Sequence, residues 1–144
     1  ANVLNGGTGA DTMNGGAGLK LLALRISTTI ERAGHVPGLA TQAHALACAW
    51  QSLGAATQAA WATGVPEEAL ANATPYLQAF GHTVLAWMWL DVALVTAARE
   101  DDSAQGQRAA MRYFFNHELP KIGAWLGVVA RREPVCREMQ DAWF

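Results

Sequence analysis

From Leu19 onward, apolar residues recur at helical spacing with short polar or glycine-bearing breaks between them. Leu22, Ile26 and Ile30 stand four apart, which predicts a first helix over Leu19 to Ala33 with those three on its buried face. Gly34, Pro37 and Gly38 then close it and open a turn. A second helix is predicted over Leu39 to Ala62, with Leu46, Trp50, Leu53 and Trp61 on or near one side and alanines paving most of the remainder. Small residues at that density let a neighbouring helix approach closely. Thr63-Gly64 ends the segment. Pro66 at a first helical position, followed by Glu67 and Glu68, starts a third helix with favourable N-terminal chemistry. Pro75 then falls inside it, and should kink or break it near Asn72 to Thr74. Beyond the proline, Tyr76, Phe80, Trp87 and Leu94 mark a buried stripe, and the helix is expected to run to Ala98. From Val65 to Leu94 the only charges are Glu67, Glu68 and Asp91, so this segment is the central helix of the core. Glu100 to Ser103 form a polar turn able to cap a fourth helix, predicted from Ala104 towards Arg131. Met111, Phe114, Phe115, Leu119, Ile122, Trp125 and Val129 face inward along it, Pro120 kinks it, and Arg131-Arg132 suit its C-terminal dipole. The tail from Glu133 to Phe144 reads as irregular. The fold class is all-α, an antiparallel up-down four-helix bundle with proline-kinked third and fourth helices.

Composition sharpens this picture. The 144 residues suffice for one domain with a real core. They are 51% hydrophobic and 15% charged, against roughly 25% charged in an average soluble domain. Few charges together with six tryptophans imply that part of the exterior is covered by another domain or subunit. The net charge of −2 leaves no basic footprint for nucleic acid and no polybasic membrane patch. The only cysteines, Cys48 and Cys136, make no disulfide framework, and the chain reads as a reduced cytoplasmic protein. The start is not a signal peptide, and it lacks an initiator methionine, as a fragment or processed product would. The longest apolar run, Thr83 to Ala98, contains Asp91 and is shorter than the ~20 residues of a membrane span.

Candidate chemistry is sparse. His44 and Cys48, four apart, have the spacing of two metal ligands on one helix face, but a third and fourth are missing, and packing among alanines is the better account. Asp91 is a carboxylate inside an apolar helix and is expected to pair with a cation, Arg112 on the fourth helix, the alternative being that it faces solvent or a partner domain. His117-Glu118 precedes the Pro120 kink, where a freed backbone acceptor invites a hydrogen bond; acid–base work there would need a convergent partner such as Asp91 or His82. Trp87, Trp89 and Trp125 read as core side chains, with an acyl pocket as the competing use. The glycine-rich start is not a dinucleotide fingerprint, because no strand precedes it.

Several stretches resemble the C-terminal helical domain of large acyl-CoA dehydrogenases, the subgroup that includes 3-methylmercaptopropionyl-CoA dehydrogenase. They are Asn14-Gly15-Gly16-Ala17, Glu68 to Ala71, Thr74 to Leu77, Phe80-Gly81 ahead of the tryptophan-rich helix, and the run YFFNHELP from Tyr113 to Pro120. Trp143-Phe144 after an acidic residue is similar to the family's natural end, so Phe144 is expected to be the true C-terminus. In that family the flavin, the acyl-CoA and the catalytic glutamate belong to an upstream core, so the resemblance implies FAD in a parent enzyme and no catalytic or cofactor-binding residue here. Residues 1–18 hold six of the 14 glycines and differ from the rest. Gly6 to Asn14, followed by Gly15 to Gly18, resembles the calcium-binding nonapeptide repeat of RTX proteins. With one complete copy, a flexible and metal-free segment is expected, Asp11 being the weak Ca²⁺ candidate. The chain thus divides into a glycine-rich segment or linker, 1–18, and a helical domain, 19–144.

These readings converge on a non-catalytic packing or assembly domain of an FAD-dependent acyl-CoA dehydrogenase, whose parent oxidises an acyl-CoA to the 2,3-enoyl-CoA. Its partners would be the dehydrogenase core, a second copy, or both, met through an apolar helical face. A free-standing self-association module and a small acyl-binding bundle are the alternatives.

Overall fold

The computed structural model describes residues 15–144, and every regular element among them is helical. The Asp11 candidate and the complete nonapeptide copy lie outside the described residues. The first helix, α1 (Gly15–Gly34), opens four residues ahead of the expected Leu19. Its apolar stripe behaves as predicted: Ile26 is fully buried, and Leu22 and Ile30 pack against the core. Gly38, at φ 86°, takes the left-handed conformation that turns the chain into α2 (Ala40–Ala60). On α2, Leu46, Trp50 and Leu53 are buried as expected, together with Ala43, Ala49, Gly54, Ala56 and Ala60. Trp61 is not among them. The helix stops at Ala60, so Trp61 begins the following turn and is 48% exposed.

The predicted third helix is divided. A five-residue helix, α3 (Pro66–Leu70), is followed by a turn at Ala71-Asn72 and by α4 (Ala73–Val95). Pro75 is thus the third residue of a new helix. Its missing N–H costs nothing there, because the first four amides of a helix have no intrahelical partner. Asn72, only 6% exposed, secures the break by donating its side-chain amide to the Glu133 carbonyl at 3.0 Å. α4 ends at Val95, and the Thr96 hydroxyl bonds back to the Val92 carbonyl at 2.9 Å.

At the centre of α4's inner face stand Ala79, Thr83, Ala86, Leu90 and Ala93, all buried. The aromatics Tyr76, Phe80 and Trp87, with Leu94, flank that strip and are partly buried. The reason is positional: α4 packs against α1, α2, and the α5 and α6 helices described next, and side chains at the line of closest approach must be small.

The next helix, α5 (Asp102–Tyr113), is capped as expected. The Asp101 carboxylate accepts the Ala104 N–H at 3.1 Å and is clamped by Arg99 Nε and Nη2 at 2.8 and 3.1 Å. Where one kinked fourth helix was predicted, the chain runs through a π-helical turn (Phe114–Glu118) and a 3₁₀ turn (Leu119–Lys121) into α6 (Ile122–Ala130). The Leu119 N–H reaches back five residues to the Phe114 carbonyl, and Pro120 follows where an α-helical amide would otherwise be required. This keeps Met111, Phe115, Leu119, Ile122, Leu126 and Val129 all in the core. The tail carries a short helix, α7 (Val135–Glu138), and a 3₁₀ turn (Asp141–Trp143).

α6 closes with Glu133 N–H on Val128 O at 3.4 Å and Arg132 N–H on Val129 O at 3.0 Å, the paired bonds of a Schellman cap. Arg132 occupies the left-handed position, at φ 51°, where glycine is usual. Its guanidinium compensates by donating to the Ala59 carbonyl in the last turn of α2, at 2.7 Å. Arg132→Ala should therefore lose about 1–2 kcal/mol of unfolding free energy, and Arg132→Gly less, since glycine relieves the backbone while losing the same bond. Urea denaturation of the two variants tests the order; an equally stable alanine variant would remove Arg132 from the helix-end contact.

Candidate functional site

Three clusters of polar side chains hold the candidate residues Asp91, His82 and Glu118, and the Glu68 pair. The first lies between α1 and α4. Thr29, 4% exposed, receives the Trp87 indole N–H on its hydroxyl oxygen at 2.8 Å and donates its own proton to Asp91 Oδ1 at 3.4 Å. This chain of three accounts for Asp91, and the expected Asp91–Arg112 pair is not formed. Asp91 and Trp87 lie on the side of α4 that faces α1, whereas Arg112 is an exposed residue of α5. Asp91 is half-buried, so its second oxygen reaches the surface and no cation is required.

The second cluster sits at the π-helical turn. Glu118 Oε2 meets Lys121 Nζ at 2.6 Å and stands 3.6 Å from His82 Nε2. His82 Nδ1 is 3.0 Å from the Gln78 carbonyl and donates to it, and the ring packs edge-on to Trp125 at 4.7 Å. Lys121, and after it His82, hold the Glu118 carboxyl below the usual glutamate range. His117 takes no part. It is exposed and stacks on Tyr113, with ring centroids 4.6 Å apart. His82 and Glu118 do converge, but they are engaged with Lys121 and a backbone carbonyl, and they clamp the turn onto α4.

The third is the end formed by α2, α3 and α7, where Glu68 accepts from the Thr63 hydroxyl at 2.8 Å and pairs with Arg137 at 3.1 Å. Those contacts, the Thr63 bond first, lower its carboxyl from the ordinary value.

Two clefts share Arg108 and Arg112. The larger, about 510 Å³, is lined only by Gln105, Gly106, Arg108, Ala109 and Arg112. All five belong to α5, so it is an open trough along one helix. Arg108 is already committed to the Thr96 and Arg99 carbonyls, at 2.9 Å each, where it caps the end of α4. The smaller cleft, about 170 Å³, lies between the Val36–Leu39 turn, α4 and α5. Neither of these two clefts offers the flat apolar slot that an isoalloxazine needs. Trp87, Trp89 and Trp125 line neither cleft; they pack against the core, as the core reading expected. Among the described residues no group of three or more His, Cys, Asp or Glu converges on a metal position. No helix among them is long and apolar enough to cross a membrane.

What the surface does carry is an apolar face that no other described residue covers. Leu77, Leu85, Met88, Val92 and Val95 of α4 are all exposed, Leu77 by 65% and Val95 by 75%. By helix geometry they fall opposite the buried strip of Ala79, Thr83, Ala86, Leu90 and Ala93. From Leu85 they are spaced three, four and three, the interval of a helix–helix seam.

Fold and site together define a helical domain whose polar side chains tie helices to one another and whose α4 presents an exposed apolar face. The chain belongs to the family described as acetyl-CoA dehydrogenase C-terminal like, whose model matches residues 22–140. No curated protein and no solved structure matches it.

Two outcomes test these assignments. Thr29→Val leaves an indole N–H and a carboxylate without their hydroxyl and should cost about 1–3 kcal/mol in denaturant unfolding; an unchanged midpoint would remove the α1–α4 polar link. The second concerns Glu118, whose folded-state carboxyl titrates below its unfolded value. Its stabilisation is therefore present above the unfolded pKa and is lost as pH falls through the lowered folded one. Glu118→Gln should melt below the wild type at neutral pH, and the gap should shrink as pH falls below the unfolded carboxyl range and close once the folded-state carboxyl is protonated. A gap that persists in acid would assign the effect to packing instead.

Proposed function

We propose that this chain is the non-catalytic C-terminal helical domain of an FAD-dependent acyl-CoA dehydrogenase of the 3-methylmercaptopropionyl-CoA dehydrogenase-like kind, and that the outer face of α4 docks it onto the rest of that enzyme. In this reading α1, α2, α4 and the α5–α6 segment are the four rods of an antiparallel up-down bundle. The parent enzyme oxidises an acyl-CoA to the 2,3-enoyl-CoA, with FAD and the catalytic base held upstream. The observation that carries the reading is the exposed row Leu85, Met88, Val92 and Val95 in a domain of this family. Each such side chain contributes about 1.5–3 kcal/mol when fully withdrawn from water, enough for a few of them to hold two bodies together. The same three-four spacing also suits a second copy, which keeps self-association as the second reading.

Co-expression of the chain with the reading frame that precedes it separates the two. Co-elution with a yellow, flavin-bearing core is expected, and it should be lost in Met88→Asp/Val92→Asp while helical circular dichroism is unchanged. A monodisperse homo-oligomer of the chain alone, indifferent to the core, would replace docking by self-association. A monomer that ignores the core would remove both.

A further inference from the structure

The smaller cleft is walled by three stretches of chain: the turn between α1 and α2, the end of α4, and one side of α5. Leu39, Ala93 and Met111 are buried beneath it, and no lining residue is acidic. Its charge comes from Arg108 and Arg112, four apart on α5. Like charges at that spacing repel each other, so an anion beside them is stabilising. Arg108 Nη1 is spent on the Thr96 and Arg99 carbonyls, whereas Arg112 makes no hydrogen bond or ion pair among the described residues. The cleft also borders the start of α2, whose cap residue Leu39 offers no side-chain acceptor to the first amides. Those amides add a positive field to that of the guanidinium groups.

We propose that this cleft binds a short-chain aliphatic carboxylate, with its carboxylate on the Arg112 guanidinium and its chain against Leu39, Ala93 and Met111. The planar guanidinium presents parallel N–H donors that match the two carboxylate oxygens. The volume of about 170 Å³ sets the length of the chain. At ~30 Å³ for each water of the liquid it holds about five such volumes, the room taken by a chain of about four to six carbons. The apolar walls distinguish this ligand from an inorganic anion, which gains nothing from them. A dicarboxylate would place its inner charge where no cation meets it. Both arginines repel an amine of the same shape. Arg108 remains the cap of the α4 end and contributes through its charge. The open trough along α5 keeps Arg112 in contact with water, so the bound carboxylate stays partly hydrated and the affinity is modest.

The outer row of α4 takes no part in this site, so its test is separate from that of docking. The full chain, isotope-labelled, is titrated with sodium pentanoate at constant ionic strength while its amide resonances are followed by NMR. Saturable shifts with a millimolar midpoint are expected at Gly38, Leu39, Met111 and Arg112. Affinity should rise from acetate to pentanoate and gain nothing further at octanoate, and pentylamine should leave those resonances unmoved. Arg112→Gln should weaken pentanoate binding about tenfold, the loss of a charge-assisted contact. Arg112 is exposed, and circular dichroism checks that the variant stays folded. Inorganic phosphate binding as tightly as pentanoate would reduce the cleft to a general anion patch and overturn the proposal. Shifts that never saturate, or undiminished binding in Arg112→Gln, would overturn it equally.

Discussion

The close approach of α4 to its neighbours is the constraint from which the rest of the structure follows. Ala79, Thr83, Ala86 and Ala93 leave room for α2 and α6 on one side of α4, while Ala43, Ala49, Gly54, Ala56 and Ala60 do the same on α2. Larger side chains at those positions would push the helices apart and empty the spaces now filled by Leu46, Leu53 and Leu90. Once the backbones are that near, the aromatics of α4 have no place on its inner strip. Tyr76, Phe80, Trp87 and Trp125 settle on the flanks, where the polar tips of Tyr76 and Trp87 find partners in Thr57 and Thr29.

Tight packing also dictates where the chain can be irregular. Two prolines enter segments that read as continuous helices, and each is accommodated differently. Pro75 becomes part of a first turn because Asn72 finds an anchor in the Glu133 carbonyl. Pro120 is reached through a widened turn that keeps Phe115 and Leu119 facing the core. The charges cluster at these irregular points. Glu118 with Lys121, Asp101 with Arg99, and Glu68 with Arg137 sit at turns or helix ends, and His82 reaches Glu118 from the middle of α4. Exposed ion pairs of this kind add little individually. Their value lies in fixing how each helix leaves the one before it.

Much of this was legible in the residues because local chemistry decides it. The stripe through Ile26, the proline start at Pro66, the Asp101 cap and the inward row from Met111 to Val129 follow from spacing and from helix-end rules. What stayed hidden depends on partners distant in sequence. Thr29 and Asp91 are 62 positions apart, and nothing near Asp91 announces a hydroxyl on α1. The Arg132 bond to Ala59 spans 73 positions. His44 and Cys48, expected to pack in the core, are exposed on α2, and the reason is different: on a helix paved with alanine, the apolar and polar sides scarcely differ, so periodicity cannot say which way a residue points. The same weakness applies to α4, where both sides are apolar and only tertiary contacts distinguish the buried strip from the exposed one.

That ambiguity on α4 is itself informative. A free surface helix normally carries charge outward, because charged side chains keep it soluble and give it one preferred orientation. Over Ala73–Val95 the single charge, Asp91, lies beside the α1 contact rather than on the outer row. The outward row is as apolar as the inward strip but built from longer side chains, Leu85, Met88, Val92 and Val95. Short residues inside and long ones outside suit a helix that packs closely on its own bundle and reaches further towards a second body. Under the docking proposed above, α4 serves two packing surfaces at once, and the division between its short and long side chains follows from that.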